Sequence, residues 1–175
     1  VDGQCPCPAN AGAEGEPVCF DGYVDNFNGG CNSTPVVYGV ANCSPICGNA
    51  GLYTTNGLPL RDTDWYMITL GAGNFTVSAT GNGFAVQVAT LNTVCPPGVL
   101  GNVSAASCVP SSPLPLTGPG NFAIFVSRDN ALNPPGVPAC GARYTLNISG
   151  PGIPGCGTTP VEPSTWGMIK NAYDL

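Results

Sequence analysis

The sequence predicts an all-β fold, an antiparallel two-sheet β-sandwich or jelly roll with disulfide-stapled loops and extended N- and C-terminal tails, on three observations. Gly (25) and Pro (19) make up a quarter of the 175 residues, and in a helix interior they cost about 1 and about 3 kcal/mol each relative to alanine. Hydrophobic residues are nonetheless 43% of the chain, and they fall in short runs that alternate with polar ones, the period of a half-buried strand. Ten cysteines, with no histidine and no CxxC pair at zinc spacing, read as disulfides formed in an oxidising compartment.

Residues 1–17 lack periodicity, carry Cys5 and Cys7, and read as an irregular arm. Residues 18–150 form the expected sandwich domain. Its first part holds Cys19, Cys31, Cys43 and Cys47, the turn-forming run Asn28-Gly29-Gly30 and one short strand, Val36 to Val40. Asp64 to Leu70 comes next, with Tyr66, Ile68 and Leu70 on one side. Asn74 to Thr80 follows as a second strand, its Phe75, Val77 and Ala79 apolar and Thr76, Ser78 and Thr80 polar. After the turn Gly81-Asn82-Gly83, Phe84, Val86 and Val88 continue an apolar face. Asn121 to Ser127 and Ala142 to Ser149 complete the set through Phe122, Ile124 and Val126 and through Tyr144, Leu146 and Ile148. Residues 151–175 form a tail with a short helix over 164–173, capped by Ser164, whose Trp166, Ile169 and Tyr173 share one face. Ten residues make no stable helix alone in water, so this face needs a surface to pack on.

Without histidine, the Ser-His-Asp triad and the Cys-His pair are excluded. Four basic against ten acidic residues give 4 − 10 = −6, which offers no footprint for nucleic acid. No stretch reaches the roughly 18 apolar residues of a membrane span. The opening Val1-Asp2-Gly3 reads as a mature chain whose export signal has been removed, placing the protein outside the cell or at its surface.

Asp62-Thr63-Asp64-Trp65-Tyr66 opening a strand, Gly120-Asn121-Phe122-Ala123-Ile124-Phe125-Val126, and Tyr144-Thr145-Leu146-Asn147-Ile148 as last strand, taken in order, resemble the bacterial pre-peptidase C-terminal domain family. Asn28-Gly29-Gly30-Cys31-Asn32 before the aspartates resembles a cysteine-rich variant in secreted proteins of planctomycete-like bacteria. The resemblance runs from about Glu14 to Gly150 and implies a jelly-roll sandwich with a non-catalytic, accessory role. It also implies calcium at acidic residues around the first motif. Asp62, Asp64 and Asp25 are the candidates, with Glu14, Glu16 and Asn26 as further oxygen donors toward the six to eight that calcium takes. The alternative role of Asp62 and Asp64 is to cap a turn and hold Arg61.

A paired-carboxylate glycosidase needs no histidine, but Asp62 and Asp64 stand two residues apart on one side of a strand and cannot by themselves flank a sugar. Cys95 and Cys108 bracket a Pro-Gly excursion and suggest one local bridge. Cys31, Cys43 and Cys47 are expected to staple the first loops, and Cys5 and Cys7 to bridge to the core or to another subunit; Cys19, Cys140 and Cys156 complete the ten. Five Asn-x-Ser/Thr sequons, at Asn32, Asn42, Asn74, Asn102 and Asn147, read in a bacterial protein as ordinary surface residues.

Two functions remain. One is a secreted structural protein that assembles with copies of itself into a fibre or surface layer through Trp166, Ile169 and Tyr173. The other is a binding module presenting Tyr23, Tyr38 or Tyr53 to polysaccharide or matrix protein.

Overall fold

The computed structural model describes residues 5–156; the expected helix over 164–173, with Trp166, Ile169 and Tyr173, lies outside them. Ten strands follow in order: β1 (Gly12–Ala13), β2 (Gly39–Val40), β3 (Ile46–Ala50), β4 (Leu52–Thr55), β5 (Leu58–Arg61), β6 (Thr63–Gly81), β7 (Val86–Leu91), β8 (Val99–Ala105), β9 (Leu114–Arg128) and β10 (Ala142–Ser149). No helix occurs among the described residues, so the all-β class stands.

Eight strands form one sheet in the order β1-β3-β10-β6-β9-β7-β8, with β2 added beside β6, while β4 and β5 make a separate hairpin. The pairing is mostly antiparallel; β1 with β3 and β2 with β6 are parallel. Two layers arise from one sheet because β6 and β9 are long enough to belong to both. The first half of β6 pairs with the part of β9 that carries β7, and its second half with β10. The inward side chains of both halves meet in a single core containing Tyr66, Ile68, Leu70, Phe75, Val77, Val86, Ile124, Leu146 and Ile148.

The two strands expected at Asp64 to Leu70 and Asn74 to Thr80 are thus one strand. Between Leu70 and Gly73 the register against β9 slips, and one extra residue in β6 reverses which side chains face inward. Even-numbered Tyr66, Ile68 and Leu70 before the bulge and odd-numbered Phe75, Val77 and Ala79 after it therefore fill the same core. Behind the β6-β9-β7 layer a second cluster, Trp65, Ala89, Leu91, Ala123 and Phe125, is covered by Cys31 and Tyr38.

Five disulfides join distant segments: Cys5–Cys108, Cys7–Cys47, Cys19–Cys140, Cys31–Cys95 and Cys43–Cys156. This corrects the Cys95–Cys108 bridge. The excursion between those cysteines contains β8, seven extended residues that span about 23 Å at 3.3 Å per residue, whereas a disulfide needs α-carbons about 5.5 Å apart. It also corrects the picture of Cys31, Cys43 and Cys47 as staples within the first loops. Their partners lie 64, 113 and 40 residues away, because the sheet order sets neighbours that are remote in sequence. The arm is held to the body through both of its cysteines and by the pairing of β1 with β3.

Candidate cation site

The inner face of β6 reads Leu70, Ile68, Tyr66 and then Asp64, and Asp62 follows in the same phase just ahead of the strand; both aspartates are fully buried. An apolar row thus runs directly into two carboxylates at the edge of the core. Two other segments bring further acids to them. β1 leads into Glu14 and Glu16, and the loop after Tyr23 supplies Asp25 and Asn28.

Acidic side chains converge in two overlapping groups, Glu14 with Glu16 and Asp64, and Glu16 with Asp25 and Asp62, each with ligand atoms within 4.8 Å of one another. Glu16 is common to both. All of the donors except Asp62 are held by specific side-chain contacts. Glu14 Oε1 accepts from the Asn49 amide, and its Oε2 accepts from the hydroxyls of Tyr66 (2.8 Å) and Tyr144 (3.2 Å), which lie 2.5 Å from each other. Tyr23 donates to Glu16 Oε1 at 2.6 Å. Asp25 Oδ1 accepts from the amides of Phe27 (3.0 Å) and Asn28 (3.2 Å), which aims its second oxygen inward. Asn28 donates from Nδ2 to Asp64 Oδ1 at 3.0 Å.

Two glycines make this convergence possible. A β-carbon on Gly29 would stand 2.5 Å from Asp25 Oδ2. One on Gly48 would stand 2.1 Å from the ring of Tyr144, so β3 leaves the space through which that hydroxyl reaches Glu14.

Six buried oxygens in this cluster have no hydrogen-bond partner in the protein: Glu16 Oε2, Asp25 Oδ2, Asn28 Oδ1, both oxygens of Asp62, and Asp64 Oδ2. Among the described residues, no Arg or Lys pairs with any of the five carboxylates. Arg61, expected to be held by Asp62 or Asp64, turns away; it donates to Gln87 Oε1 and the Arg128 carbonyl, both at 3.3 Å, and lies 5.4 Å from the centre of the Phe125 ring. The outward phase of position 61 sends it to the opposite face from the aspartates.

Buried carboxylates without a counter-charge hold protons unless a cation arrives. Burial, then Glu16 and Asp25, push Asp62 up to about 8. Burial also lifts Glu14 to about 7, against the pull of the Asn49 amide and the Tyr66 hydroxyl, and it raises Asp64 well above the usual carboxylate range, with Glu14 and Asp62 adding to it. Burial likewise raises the Tyr66 and Tyr144 hydroxyls, so both remain donors.

The donor set is all oxygen and mostly carboxylate, the chemistry of a hard divalent cation, and its six free oxygens are spread over two overlapping groups that share Glu16. Of the sequence candidates, Asp62, Asp64, Asp25, Glu14 and Glu16 are brought together. Asn26 is not: it is exposed, and Asn28 takes the place expected for it. Asn28 and the three tyrosines escaped sequence reasoning; the one available signal was an oxygen-bearing side chain immediately before two glycines. The buried aspartates also answer the glycosidase question. They face the core and each other's neighbours, where no sugar can pass between them.

No family model matches the chain, and no curated protein matches it. Among solved structures, it is similar to the crystal structure of the pre-peptidase C-terminal domain of a collagenase from Bacillus anthracis, with 14% identity and a TM-score of 0.43, covering 63% of this chain and 90% of that one.

Proposed function

We propose that the protein is a non-catalytic, exported β-module braced by calcium, which Glu14, Glu16, Asp25, Asn28, Asp62 and Asp64 hold between the arm, the first loop and the start of β6. The observation that carries this reading is the set of six partnerless buried oxygens in a cluster of five carboxylates. Five disulfides support export to an oxidising compartment. Calcium supplies the missing positive charge and joins three segments that are distant in sequence.

Such a module serves as a building block of an extracellular fibre or surface layer made of its own copies. Supporting this is the run from Trp65 to Ser127, which contains no Asp, Glu, Lys or Arg and so brings no like-charge repulsion to the packing of copies. The adhesion reading has less behind it. Tyr23 is buried with its hydroxyl on Glu16, and Tyr53 and Tyr38 pack edge-on against Tyr23 and Trp65.

Calorimetric titration of calcium into chelator-treated protein tests the site, beside thermal melting. Wild type binds calcium, and at a hundredfold excess over Kd the gain of about 2.7 kcal/mol raises Tm by about 5–10 °C. The double variant Asp62→Asn with Asp64→Asn stays folded and loses both responses. A wild-type Tm indifferent to calcium and to chelator would overturn the proposal.

A further inference from the structure

β8 is the outermost strand of the sheet, and its hydrogen-bonding edge away from β7 has no backbone partner among the described residues. Natural edge strands are usually blunted by charge, proline, shortness or a covering segment. Val99–Ala105 has seven residues, none of them charged and none proline, and Val99 and Leu100 are 64% and 57% exposed. A bulge at Leu100, opposite the step from Thr90 to Leu91, disturbs its beginning and leaves Gly101–Ala105 in regular register. The other end of the sheet is unlike it: β1 has two residues, with the Cys43–Cys156 disulfide against Gly12.

We propose that β8 pairs with β8 of a second copy, antiparallel about a twofold axis at Asn102, so that the sheet continues through two subunits. An open backbone edge is completed by another extended strand, which fixes the kind of partner. Charge favours a second copy in spite of the net −6. In this register Asn102 meets Asn102, Gly101 meets Val103, Leu100 meets Ser104 and Val99 meets Ala105, and no charges face each other. The acidic cluster at the start of β6 lies three strand spacings from β8, about 14 Å, beyond the screening length of about 8–10 Å at physiological salt. A charged group that touches the strand is Asp129, just after β9, which accepts from Ser104 Oγ at 2.5 Å. The twofold axis keeps the two copies of Ser104 about 13 Å apart along the strands. Because each copy contributes the same strand β8, the pairing closes on itself as an isologous dimer.

Light scattering of the calcium-loaded full chain over a range of concentrations tests this. Wild type passes from monomer to dimer as concentration rises. Asn102→Asp and Asn102→Lys each set like charges face to face on the axis, and each stays monomeric where wild type is dimeric, with dissociation constants raised about tenfold or more. Mixed in equal amounts, the two variants recover the dimer, since Asp then meets Lys. Asn102 is exposed and, among the described residues, its side chain accepts from Gln87 Nε2 alone, so an unchanged Tm in both variants shows that folding is intact. Variants that dimerise like wild type, or a mixture that stays monomeric, would overturn the inference. So would an open polymer indifferent to both substitutions, although that result leaves the building-block reading standing. A wild type that is monomeric throughout removes both.

Discussion

The acidic corner of the molecule and the long uncharged stretch from Trp65 to Ser127 are stabilised by opposite means. In the corner, five carboxylates from three segments converge with six oxygens unpartnered, so the arrangement depends on a cation or on protons. In the stretch, Phe75, Val77, Val86, Val88, Ile124 and Val126 are almost wholly buried by alternation along β6, β7 and β9, and burial of each side chain contributes about 1.5–3 kcal/mol whatever the solution holds. β6 joins the two. Its inner row is apolar from Leu70 back to Tyr66 and acidic at Asp64, with Asp62 just beyond. The lesson is that one strand can supply a self-sufficient core at one end and a ligand-dependent one at the other.

The largest effect that separates the two regions is a cavity in the apolar half. Phe75→Ala is expected to cost about 3–5 kcal/mol, with the same loss of stability in calcium and in chelator when urea unfolding is followed. A loss that changes with calcium would mean that the halves are energetically coupled.

The next effect is on pH. Asp62 rises in the folded state to about 8 from an ordinary 3.8, so between those values the metal-free fold keeps a proton that the unfolded chain has released. Its stability therefore falls as pH rises from about 4 to about 8 and levels off above. Calcium displaces the proton, so the calcium-induced rise in Tm grows across the same window. Melting curves at stepped pH, with calcium and with chelator, check both slopes; a metal-free protein that gains stability from pH 5 to 8 would contradict them.

The smallest effect is Gly29→Ala. Its β-carbon would stand 2.5 Å from Asp25 Oδ2, so the loop must shift and Asp25 with it. Calcium affinity is expected to drop about tenfold, near 1.4 kcal/mol, while urea unfolding in chelator changes little. A variant with wild-type affinity would remove Asp25 from the donor set.

Legibility followed the same division. Ala142 to Ser149 is a strand in sequence and in structure with the same bounds, because alternation of Tyr144, Leu146 and Ile148 needs no distant information. β3 carried no such signal. Ile46-Cys47-Gly48-Asn49-Ala50 has small and polar residues where large ones would clash, and Gly48 is there to admit Tyr144. β8 hid within what read as a Pro-Gly excursion, since an edge strand half open to water does not require an apolar face. In the acidic corner the carboxylates were recognisable one by one, yet Asn26 stood where Asn28 belongs, because only the turn at Asp25 decides which side chain points inward.

The sequence by itself determined the all-β class, the strands with a strict two-residue period and the acidic residues available as ligands, since these depend on local chemistry and spacing. Only the tertiary structure decided that β6 is one strand, how the ten cysteines pair, which way Arg61 turns and that five carboxylates share a corner. Those outcomes depend on a one-residue bulge and on a sheet order that places β1, β3 and β10 side by side, and neither leaves a mark at short range in the chain.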